Sequence, residues 1–568
     1  MAGGLTLTRY DITDLNNGEI AGFPVEDPPG WDAISLFYAR ALQRMGWNES
    51  ANGDAPPAPE NPDNDPVPGT PNVANTWEYS ENPDSYFFWG AMHWWPGNDW
   101  EYWNADAPSP QNEYWSHCTH GPASVEKYFL PWHRAYIYFY EVIVRSKIAE
   151  LGGPENWALP YWNYSYHDPS NPSTPWPRSR LPWVFCQPQL PDDSGNPLYL
   201  DETRRGLQPT RPDGQPMFLS TGTPYYADAY GQQSWEPASP NQGFNRTLDG
   251  RPHGAVHNDV GNGDGLISPT GWMQNTQTAG FDPIFWLHHA EIDRFWVGWN
   301  AAGGQDPNQQ TDPNWLIAAD DEVGGTPVVG RWNFWSDGNI DNVVVVHPVE
   351  MLDPANLDGG KFPYSYEYQN LPTVPAPRQG GRAIVAEAVP RVAVAVAPAA
   401  PVPTAPQREI ASSDEAVEVG HEPVTTQLSL ADEAPRLLRA LDLGAEEEGP
   451  RRVVLQLGGI VTKSPPGNYE TYLNNPDVDR DTAGEVPHFV GLFSAFGANH
   501  RHGGKGHEHQ HGVSASYDIT DLVAYLRANR EWDESSVRVT FVLAVRRIGD
   551  LRPVIAPVTI GSVRLVTE

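Results

Sequence analysis

The amino-acid sequence predicts a multidomain protein with a mainly helical first part and an all-β C-terminal part. Its 568 residues are too many for a single hydrophobic core, so two or more domains are expected. Long runs before residue 300 have helical periodicity, whereas later runs are strand-like and separated by turn residues. The patterns predict a first domain at 1–373, an Ala- and Pro-rich linker at 374–450 and a C-terminal domain at 451–568.

Charge and hydropathy limit the classes of partner. A formal net charge of −36 repels phosphate backbones and anionic lipid headgroups, which argues against nucleic-acid and membrane partners. No apolar run approaches the length of a membrane span, and MAGGLTLTRYDITDL lacks the basic start and apolar core of a signal peptide. The two cysteines, Cys118 and Cys186, do not indicate an oxidising compartment. A cytoplasmic protein is the expectation, with secretion left open.

The most apolar helix-like run lies at residues 281–299, FDPIFWLHHAEIDRFWVGW. Asp282 is placed to cap this helix, and Pro283 occupies its first position. His289 recurs with aromatic residues at helical spacing, which predicts that its ring lies on the buried stripe. A single histidine on such a stripe is more often a hydrogen-bonded core residue than a metal ligand, so its neighbours must decide.

Further histidines lie in two upstream segments. His93 belongs to an aromatic, helix-compatible run, SYFFWGAMHWW, and His133 lies near the first turn of a helix predicted over residues 131–150. Between them, the short polar segment HCTHG carries His117 and His120. One candidate set of three imidazoles is therefore His93, His120 and His133.

A second candidate set follows downstream. His253 and His257 are four residues apart, so one helical turn aims both imidazoles at a common point, and His289 completes the set. Chance and helix packing also produce this spacing. Two imidazole trios without matching carboxylates or cysteines suit copper, zinc, iron or nickel and disfavour iron–sulfur clusters, calcium and magnesium. Three nitrogens per metal leave positions open for a small molecule such as dioxygen, but spacing alone does not choose copper over zinc.

Six segments together resemble the type 3 copper proteins, namely tyrosinases, plant catechol oxidases (polyphenol oxidases) and molluscan haemocyanins. These segments are MHWW, CTHG, YFLPWHRAYIYFYE, ALPYWNYSY, HGAVHND and DPIFWLHHAEIDRFW. The resemblance implies a four-helix bundle with long loops that holds two copper ions in a dinuclear centre. It assigns His93, His120 and His133 to one copper ion, and His253, His257 and His289 to the other.

The resemblance also assigns roles near the first copper ion. CTH is similar to the segment in which a cysteine of some relatives forms a thioether bond to a copper-binding histidine, which here implies a bond between Cys118 and His120. A free thiol is the alternative. The segment between His120 and His133 is longer than in most relatives, so His117 remains an alternative ligand.

Three residues near the second copper ion match family positions with catalytic roles. Asp249 falls where plant relatives carry a glutamate that holds a water molecule near this ion. Asn258 follows a ligand at a position that tunes the hydroxylation of monophenols. Thr276 stands in place of a gating phenylalanine, which implies a comparatively open entrance. Asp293, one turn after His289, is expected either to orient an imidazole or to pair with Arg294 or Arg251.

The activity that the resemblance implies is oxidation of o-diphenols to o-quinones, with dioxygen reduced to water and hydroxylation of monophenols as an additional possibility. The partners would be dioxygen and a phenolic or catecholic small molecule. An o-aminophenol oxidase and a haemocyanin-like dioxygen carrier share the ligand set and remain alternatives.

The C-terminal domain resembles the β-sandwich that covers the copper site of some relatives and keeps the enzyme latent until it is removed. Within this domain, the run HRHGGKGHEHQHG at residues 500–512 is either a flexible surface loop or a second place where divalent metals bind.

Overall fold

The computed structural model describes most of the helical part and most of the C-terminal strands. The described residues are 5–47, 82–93, 128–165, 177–202, 204–210, 214–219, 235, 243–262, 271–276, 278–304, 322–323, 326–327, 332–357, 361–372, 407–413, 415–437, 452–462, 467–479, 488–498, 501–502, 509–510, 513–532, 536–544 and 557–567.

The first part of the chain is mainly helical, as predicted. The helices are α1 (Ile12–Asn16), α2 (Ala33–Arg44), α3 (Tyr86–Met92), α4 (Phe129–Glu150), α5 (Phe244–Leu248), α6 (Ala255–Asn262), α7 (Ile284–Ala301) and, in the C-terminal part, α8 (Thr520–Ala528). Short 3-10 turns lie at Pro177–Ser179, Trp183–Cys186, Trp272–Gln274, Ala279–Phe281, Pro348–Met351 and Pro354–Asn356, and a wider π-type turn covers Asp249–Gly254. None of the described helices is both long and apolar enough to cross a membrane.

The two longest helices, α4 and α7, pack against each other through aromatic side chains. Tyr140 of α4 stacks on Trp286 of α7, with ring centroids 3.6 Å apart and planes 10° apart. At the start of α7, a carboxylate oxygen of Asp282 accepts the backbone N–H of Ile284 at 3.0 Å. This bond satisfies a donor that the first helical turn cannot pair internally, so the predicted capping role of Asp282 is confirmed.

Among the described residues, the strands form one large set and one small pair in the C-terminal part and three small pairs before it. They are β1 (Leu5–Arg9), β2 (Glu322–Val323), β3 (Thr326–Pro327), β4 (Trp332–Trp335), β5 (Val343–Val346), β6 (Tyr364–Tyr368), β7 (Arg408–Ser413), β8 (Val417–Val419), β9 (Val424–Leu430), β10 (Val453–Thr462), β11 (Asn468–Leu473), β12 (Phe489–Ser494), β13 (Arg501–His502), β14 (His509–Gln510), β15 (Val513–Asp518), β16 (Val537–Leu543), β17 (Val558–Ile560) and β18 (Ser562–Thr567).

The C-terminal strands pair in a single continuous order. That order is β12, β11, β16, β9, β7, β18, β10, β17 and β8, with β15 also paired to β10. Apolar residues from these strands and from α8 form one buried core that is separate from the core of the helical part. The prediction of a strand-rich C-terminal domain is confirmed, although its strands pair as one set and not as two separate sheets.

The predicted boundary between linker and C-terminal domain is wrong. The sequence assigns residues 374–450 to a linker, but β7, β8 and β9 lie inside that range and belong to the large strand set. β7 pairs with β9 nearby in the sequence, but their outer neighbours, β18 for β7 and β16 for β9, lie more than 100 residues away. Such distant pairing leaves little trace in local composition, whereas the adjacent Ala- and Pro-rich stretch dominates it. That stretch itself lies outside the described residues.

A buried charge cluster joins the first strand of the chain to the end of the helical part. β1 runs parallel to β6. Asp293 accepts hydrogen bonds from the hydroxyls of Tyr366 and Tyr368, at 2.7 and 2.6 Å, and pairs with Arg9 and Arg134. All five side chains are buried, so their charges and hydroxyls stabilise one another away from water.

Both predictions for Asp293 are wrong. Its hydrogen bonds go to this cluster and not to an imidazole, and neither of the predicted arginines pairs with it. Arg294 instead contacts Glu291, at 2.7 Å, and the guanidinium of Arg251 lies 4.6 Å from the ring centroid of Tyr517. The partners of Asp293 come from strands far away in sequence, which helical spacing does not reveal.

We expect Asp293→Asn to lower the free energy of unfolding by about 3–5 kcal/mol, because it leaves the buried guanidinium of Arg134 without a carboxylate partner, whereas Arg9 keeps its ion pair with Glu141. Urea unfolding followed by circular dichroism measures the change. The matched control is Asp192→Asn, which removes a carboxylate from a solvent-exposed pair with Arg40 and is expected to leave the unfolding midpoint unchanged. Equal midpoints for both variants would contradict a stabilising role for the cluster.

Candidate metal centre

Five of the six predicted histidine ligands lie in the described part of the chain, and all five are buried. They come from four places in the fold: the C-terminal end of α3, the first turns of α4, the region around the start of α6, and the middle of α7. These residues are His93, His133, His253, His257 and His289. Their convergence was predicted from residues almost 200 positions apart in the sequence.

His289 lies at the middle of the cluster. Its ring stacks on that of His133, with centroids 4.5 Å apart and planes 9° apart. The centroids of His93, His253 and His257 lie 6.1, 4.9 and 5.6 Å from that of His289. The described residues contain two groups able to hold a metal ion: His93, His133 and His289 form one, and His253, His257, His288 and His289 form the other.

Backbone carbonyl groups fix the orientation of three of these rings. The Nδ1 atom of His93 lies 2.8 Å from the carbonyl oxygen of Thr276, and that of His133 lies 2.7 Å from the carbonyl of Phe129. The Nδ1 atom of His257 lies 2.7 Å from the carbonyl of Met273. A carbonyl oxygen can only accept, so each Nδ1 carries the hydrogen and each Nε2 of the neutral ring presents a lone pair.

The resulting arrangement fits a cation. The Nε2 atoms of His93 and His133 lie 3.4 Å apart, and so do those of His257 and His289. In the first pair both nitrogens present lone pairs, which repel each other unless a positive ion lies between them. Two nitrogen ligands of a tetrahedral metal, with bonds of about 2.0–2.1 Å, are separated by roughly 3.3–3.4 Å. The donor atoms therefore already have the spacing that a metal ion requires.

The electrostatic surroundings favour neutral imidazoles. Burial, together with the charge that neighbouring imidazolium rings would carry, lowers the pKa of His257, His288 and His289 well below the ordinary histidine value. These rings stay unprotonated at physiological pH and keep their lone pairs, which is the form that binds a metal ion.

The predicted residues of the CTH segment lie outside the described residues. These are His117, Cys118 and His120, so the third ligand of the first copper ion and the thioether bond remain predictions. The histidine-rich run at 500–512 is described only as two short paired strands, β13 and β14, and its metal-binding interpretation also remains a prediction.

His288 is closer to the cluster than its place off the buried stripe indicates. Its ring lies parallel to that of His253, with centroids 5.4 Å apart, and its Nδ1 atom lies 3.1 Å from the hydroxyl oxygen of Tyr164. Adjacent residues of a helix point about 100° apart, so with His289 facing the cluster, His288 is expected to lie at its edge. In the folded chain, however, His253 and His257 lie on the same side of α7 as His288. This placement depends on how distant segments pack, which helical spacing does not predict.

Asp249 contacts a predicted ligand directly. A carboxylate oxygen of Asp249 lies 2.9 Å from the Nδ1 atom of His253, and the backbone oxygen of Asp249 lies 3.1 Å from the same atom. The side chain therefore orients this imidazole. The water-holding role that the resemblance implies for Asp249 remains a prediction.

We expect Asp249→Asn to weaken copper binding at the second ligand set by about 10- to 100-fold, the usual effect of losing a carboxylate that orients a histidine ligand. Competition with a chromophoric chelator measures the affinity. Glu418→Gln, an exposed change on β8, is the control and is expected to leave it unchanged. Equal affinities for Asp249→Asn and the unmodified protein would contradict the orienting role.

The other two predicted catalytic residues, Thr276 and Asn258, make contacts that the sequence did not predict. Thr276 contributes its backbone carbonyl to His93, as described above. Asn258 donates its side-chain amide to Ser494 at 2.8 Å and to Asn468 at 3.0 Å, both in the C-terminal part. Their proposed roles in gating and in monophenol hydroxylation remain predictions.

Sequence reasoning missed Phe496, which follows β12 in the C-terminal part. Its ring stacks on His257 with centroids 4.2 Å apart and planes 15° apart, and it lies edge-on to His253 at 5.6 Å. The motif HFVGLFSAF predicts a strand but does not indicate which aromatic ring leaves it to contact a histidine. The expectation of an open entrance at Thr276 does not take this ring into account.

Comparison with known proteins finds related sequences and folds. Residues 83–302 match the common central domain of tyrosinase, and residues 407–568 match a domain of unknown function (DUF7868). The tyrosinase HcTyr1 of Hahella sp. is 26% identical over 507 residues, which cover 86% of this chain and 93% of that protein. The chloroplastic polyphenol oxidase of Vitis vinifera is 29% identical over 262 residues, which cover 43% of this chain and 37% of the longer plant protein.

Two solved structures share the fold over the whole chain. Latent apple tyrosinase covers 100% of this chain and 98% of its own, with a TM-score of 0.51 at 18% identity. Latent aurone synthase, a polyphenol oxidase, covers 100% of this chain and 90% of its own, with a TM-score of 0.52 at 19% identity. Residues 83–302, which match the common central domain of tyrosinase, contain both histidine groups described above, and the likeness to these two structures shows that the fold is shared along the whole chain.

Proposed function

We propose that this protein oxidises o-diphenols to o-quinones with dioxygen, and that its C-terminal domain keeps it latent. His93, His120 and His133 would hold one copper ion, and His253, His257 and His289 the other. The observation that carries the proposal is the buried convergence of imidazoles, with Nε2 atoms 3.4 Å apart between His93 and His133 and between His257 and His289. We further infer that the helices bearing these ligands belong to the four-helix bundle of the family, which the aromatic packing of α4 on α7 supports.

The overall reaction balances with two diphenol molecules for each dioxygen. Each diphenol loses two electrons and two protons to become a quinone, and the four electrons and four protons reduce dioxygen to two water molecules. Paired copper ions supply Lewis acidity and one-electron capacity for this exchange. The protein supplies neutral, oriented imidazoles and a dry, aromatic surrounding, in which Phe285 lies edge-on to His93 with ring centroids 4.7 Å apart.

The position of Phe496 supports latency. An aromatic ring stacked on His257 occupies the place where the ring of a phenol would approach the second copper ion. The backbone N–H of Phe496 donates to the hydroxyl of Ser494 at 3.1 Å, and that hydroxyl also accepts from Asn258. Asn468 donates to the carbonyl of Ala255 at 3.0 Å and so adds another bond between the two parts of the chain.

Reconstitution of the full chain with copper tests the proposal. We expect two copper ions per chain by atomic absorption, and catechol oxidation that consumes one dioxygen molecule for every two quinones formed. Limited proteolysis in the linker is expected to raise the rate. A chain that binds two copper ions and dioxygen reversibly without turning over catechol, even after proteolysis, would contradict the oxidase proposal and favour a dioxygen carrier.

A further inference from the structure

One short segment between α6 and α7 contacts a predicted ligand of each copper ion. We call residues 271–276 and 278–281 the connecting segment. Its Met273 carbonyl accepts from Nδ1 of His257, at 2.7 Å, and its Thr276 carbonyl accepts from Nδ1 of His93, at 2.8 Å. These two histidines belong to different ligand sets, yet the groups that orient them lie only three residues apart.

The first end of the connecting segment lies directly against α6, the helix that carries His257. Gly261 and Gly271 bring the two backbones together: a Cβ atom on Gly261 would overlap the backbone of Gln274, and one on Gly271 would overlap the carbonyl of Gly261. The backbone N–H of Trp272 also donates to the carbonyl of Arg204 at 2.7 Å. This end is therefore fixed with little freedom to shift.

The second end lies equally close to α3, the helix that precedes His93. A Cβ atom on Gly280 would lie 2.7 Å from the carbonyl oxygen of Gly90, and one on Gly90 would overlap the ring of Phe281. The hydroxyl of Tyr86 lies 3.3 Å from the carbonyl of Phe281. The two ends thus hold two ligand-bearing helices at a set separation.

Internal hydrogen bonds keep the connecting segment compact between these ends. The hydroxyl of Thr278 donates toward the carbonyls of Trp272, at 2.9 Å, and Asn275, at 3.3 Å. The backbone N–H of Ala279 donates to the Asn275 carbonyl at 2.8 Å. Except for half-buried Asn275, the described residues of the segment are buried, so the bond between Thr278 and Trp272 is shielded from water.

We propose that the connecting segment is a positioning element that sets the separation of the two copper ions, because it aims one Nε2 atom of each ligand set from a single rigid piece of backbone. This inference rests on the proposed function and adds to it the part of the chain that would set the distance between the two copper ions. Both copper ions would act on the same dioxygen molecule in the proposed reaction, so a displaced segment is expected to impair the function of both ions together.

A pair of substitutions at Thr278 tests the proposal without inserting bulk. Thr278→Val removes the hydroxyl and keeps the shape of the side chain, whereas Thr278→Ser keeps the hydroxyl. For Thr278→Val we expect two bound copper ions per chain, an unchanged KM for catechol in the proteolysed enzyme, and a kcat lower by about tenfold, at the small end of the effects of groups that orient ligands. Thr278→Ser should retain the kcat of the unmodified protein.

Electron paramagnetic resonance of the oxidised protein gives a readout besides activity. Two Cu(II) ions coupled through a bridging ligand give no signal, whereas uncoupled ions do. Thr278→Val and Gly261→Ala are both expected to show a Cu(II) signal at full copper content. Gly420→Ala is the matched control: a Cβ atom there meets nothing within 4 Å, and the variant should remain silent.

Two results would overturn the proposal. One is that Thr278→Val matches the unmodified protein in both kcat and spin signal. The other is that Gly261→Ala loses the copper ion of the His257 set while the ion of the His93 set keeps its affinity, which would mean that the two sets are positioned independently. Failure of the unmodified chain to bind two copper ions would instead refute the proposed function.

Discussion

Replacing His257 with alanine is expected to remove one of the two copper ions and nearly all oxidase activity. The imidazole of His257 is buried, its Nδ1 atom is bonded to the Met273 carbonyl, and its Nε2 atom lies 3.4 Å from that of His289. Losing a carboxylate or carbonyl that orients a ligand already costs about 10- to 100-fold, so losing the ligand itself should lower kcat by more than about 100-fold. In the proposed reaction both copper ions would pass electrons to dioxygen, so the loss of one ion is expected to stop turnover.

The control for this variant is His488→Ala. The Nδ1 atom of His488 also lies 2.7 Å from a backbone carbonyl, that of Leu473, but this histidine belongs to the C-terminal part. We expect it to keep two copper ions per chain and the activity of the unmodified protein. Metal analysis and oxygen consumption with catechol measure both properties after linker proteolysis. Full activity in His257→Ala would refute the ligand assignment.

Local sequence patterns predicted the features that depend on a single helix. Asp282 caps α7, as an acidic residue before a proline and an apolar run predicts, although its buried ion pair with Arg205 was not predicted. His289 lies on the buried stripe of α7 because helical spacing fixes which residues share a face. The four-residue spacing of His253 and His257 likewise places their rings close together, with centroids 4.5 Å apart.

Features that depend on distant contacts were not predictable in this way. Asp293 lies one turn after His289, but its partners come from β1, β6 and α4, and no local pattern in α7 names them. His288 gains its contact with His253 only because another segment packs on that side of α7. β7 and β9 pair with each other, but they were hidden in a range with linker-like composition, and the strands that flank them in the large set, β18 and β16, lie more than 100 residues further along the chain.

The aromatic ring next to the second ligand set could not be predicted from the sequence near the ligands. Thr276 was interpreted as an open gate because it is smaller than the phenylalanine of the plant relatives. In the structure an aromatic ring is nevertheless present against the second ligand set, and it comes from Phe496, 220 positions further along the chain than Thr276. An aromatic ring beside the ligands can therefore come from a distant part of the chain, which only the tertiary structure reveals.

Replacing Phe496 with alanine is expected to raise catechol oxidation by the intact chain at least about tenfold. Burying a phenylalanine side chain contributes about 1.5–3 kcal/mol, and 1.4 kcal/mol corresponds to a factor of ten in a rate or an equilibrium. Without the ring, a phenol no longer has to displace it from His257, while the hydrogen bonds of Asn468 and Ser494 still hold the two parts together. The rate should approach that of the proteolysed protein.

The matched control removes a ring of the same size from the same region. Phe489 lies in β12, and its ring packs against that of Tyr472 with centroids 5.5 Å apart, so Phe489→Ala should lower stability without raising the rate. Three rates decide the matter: those of the intact variant, the intact unmodified chain and the proteolysed chain. If proteolysis activates the protein but Phe496→Ala does not, the covering domain acts through its bulk and not through this ring. If neither change raises the rate, the enzyme is not latent, and the stacked ring must leave His257 readily during turnover.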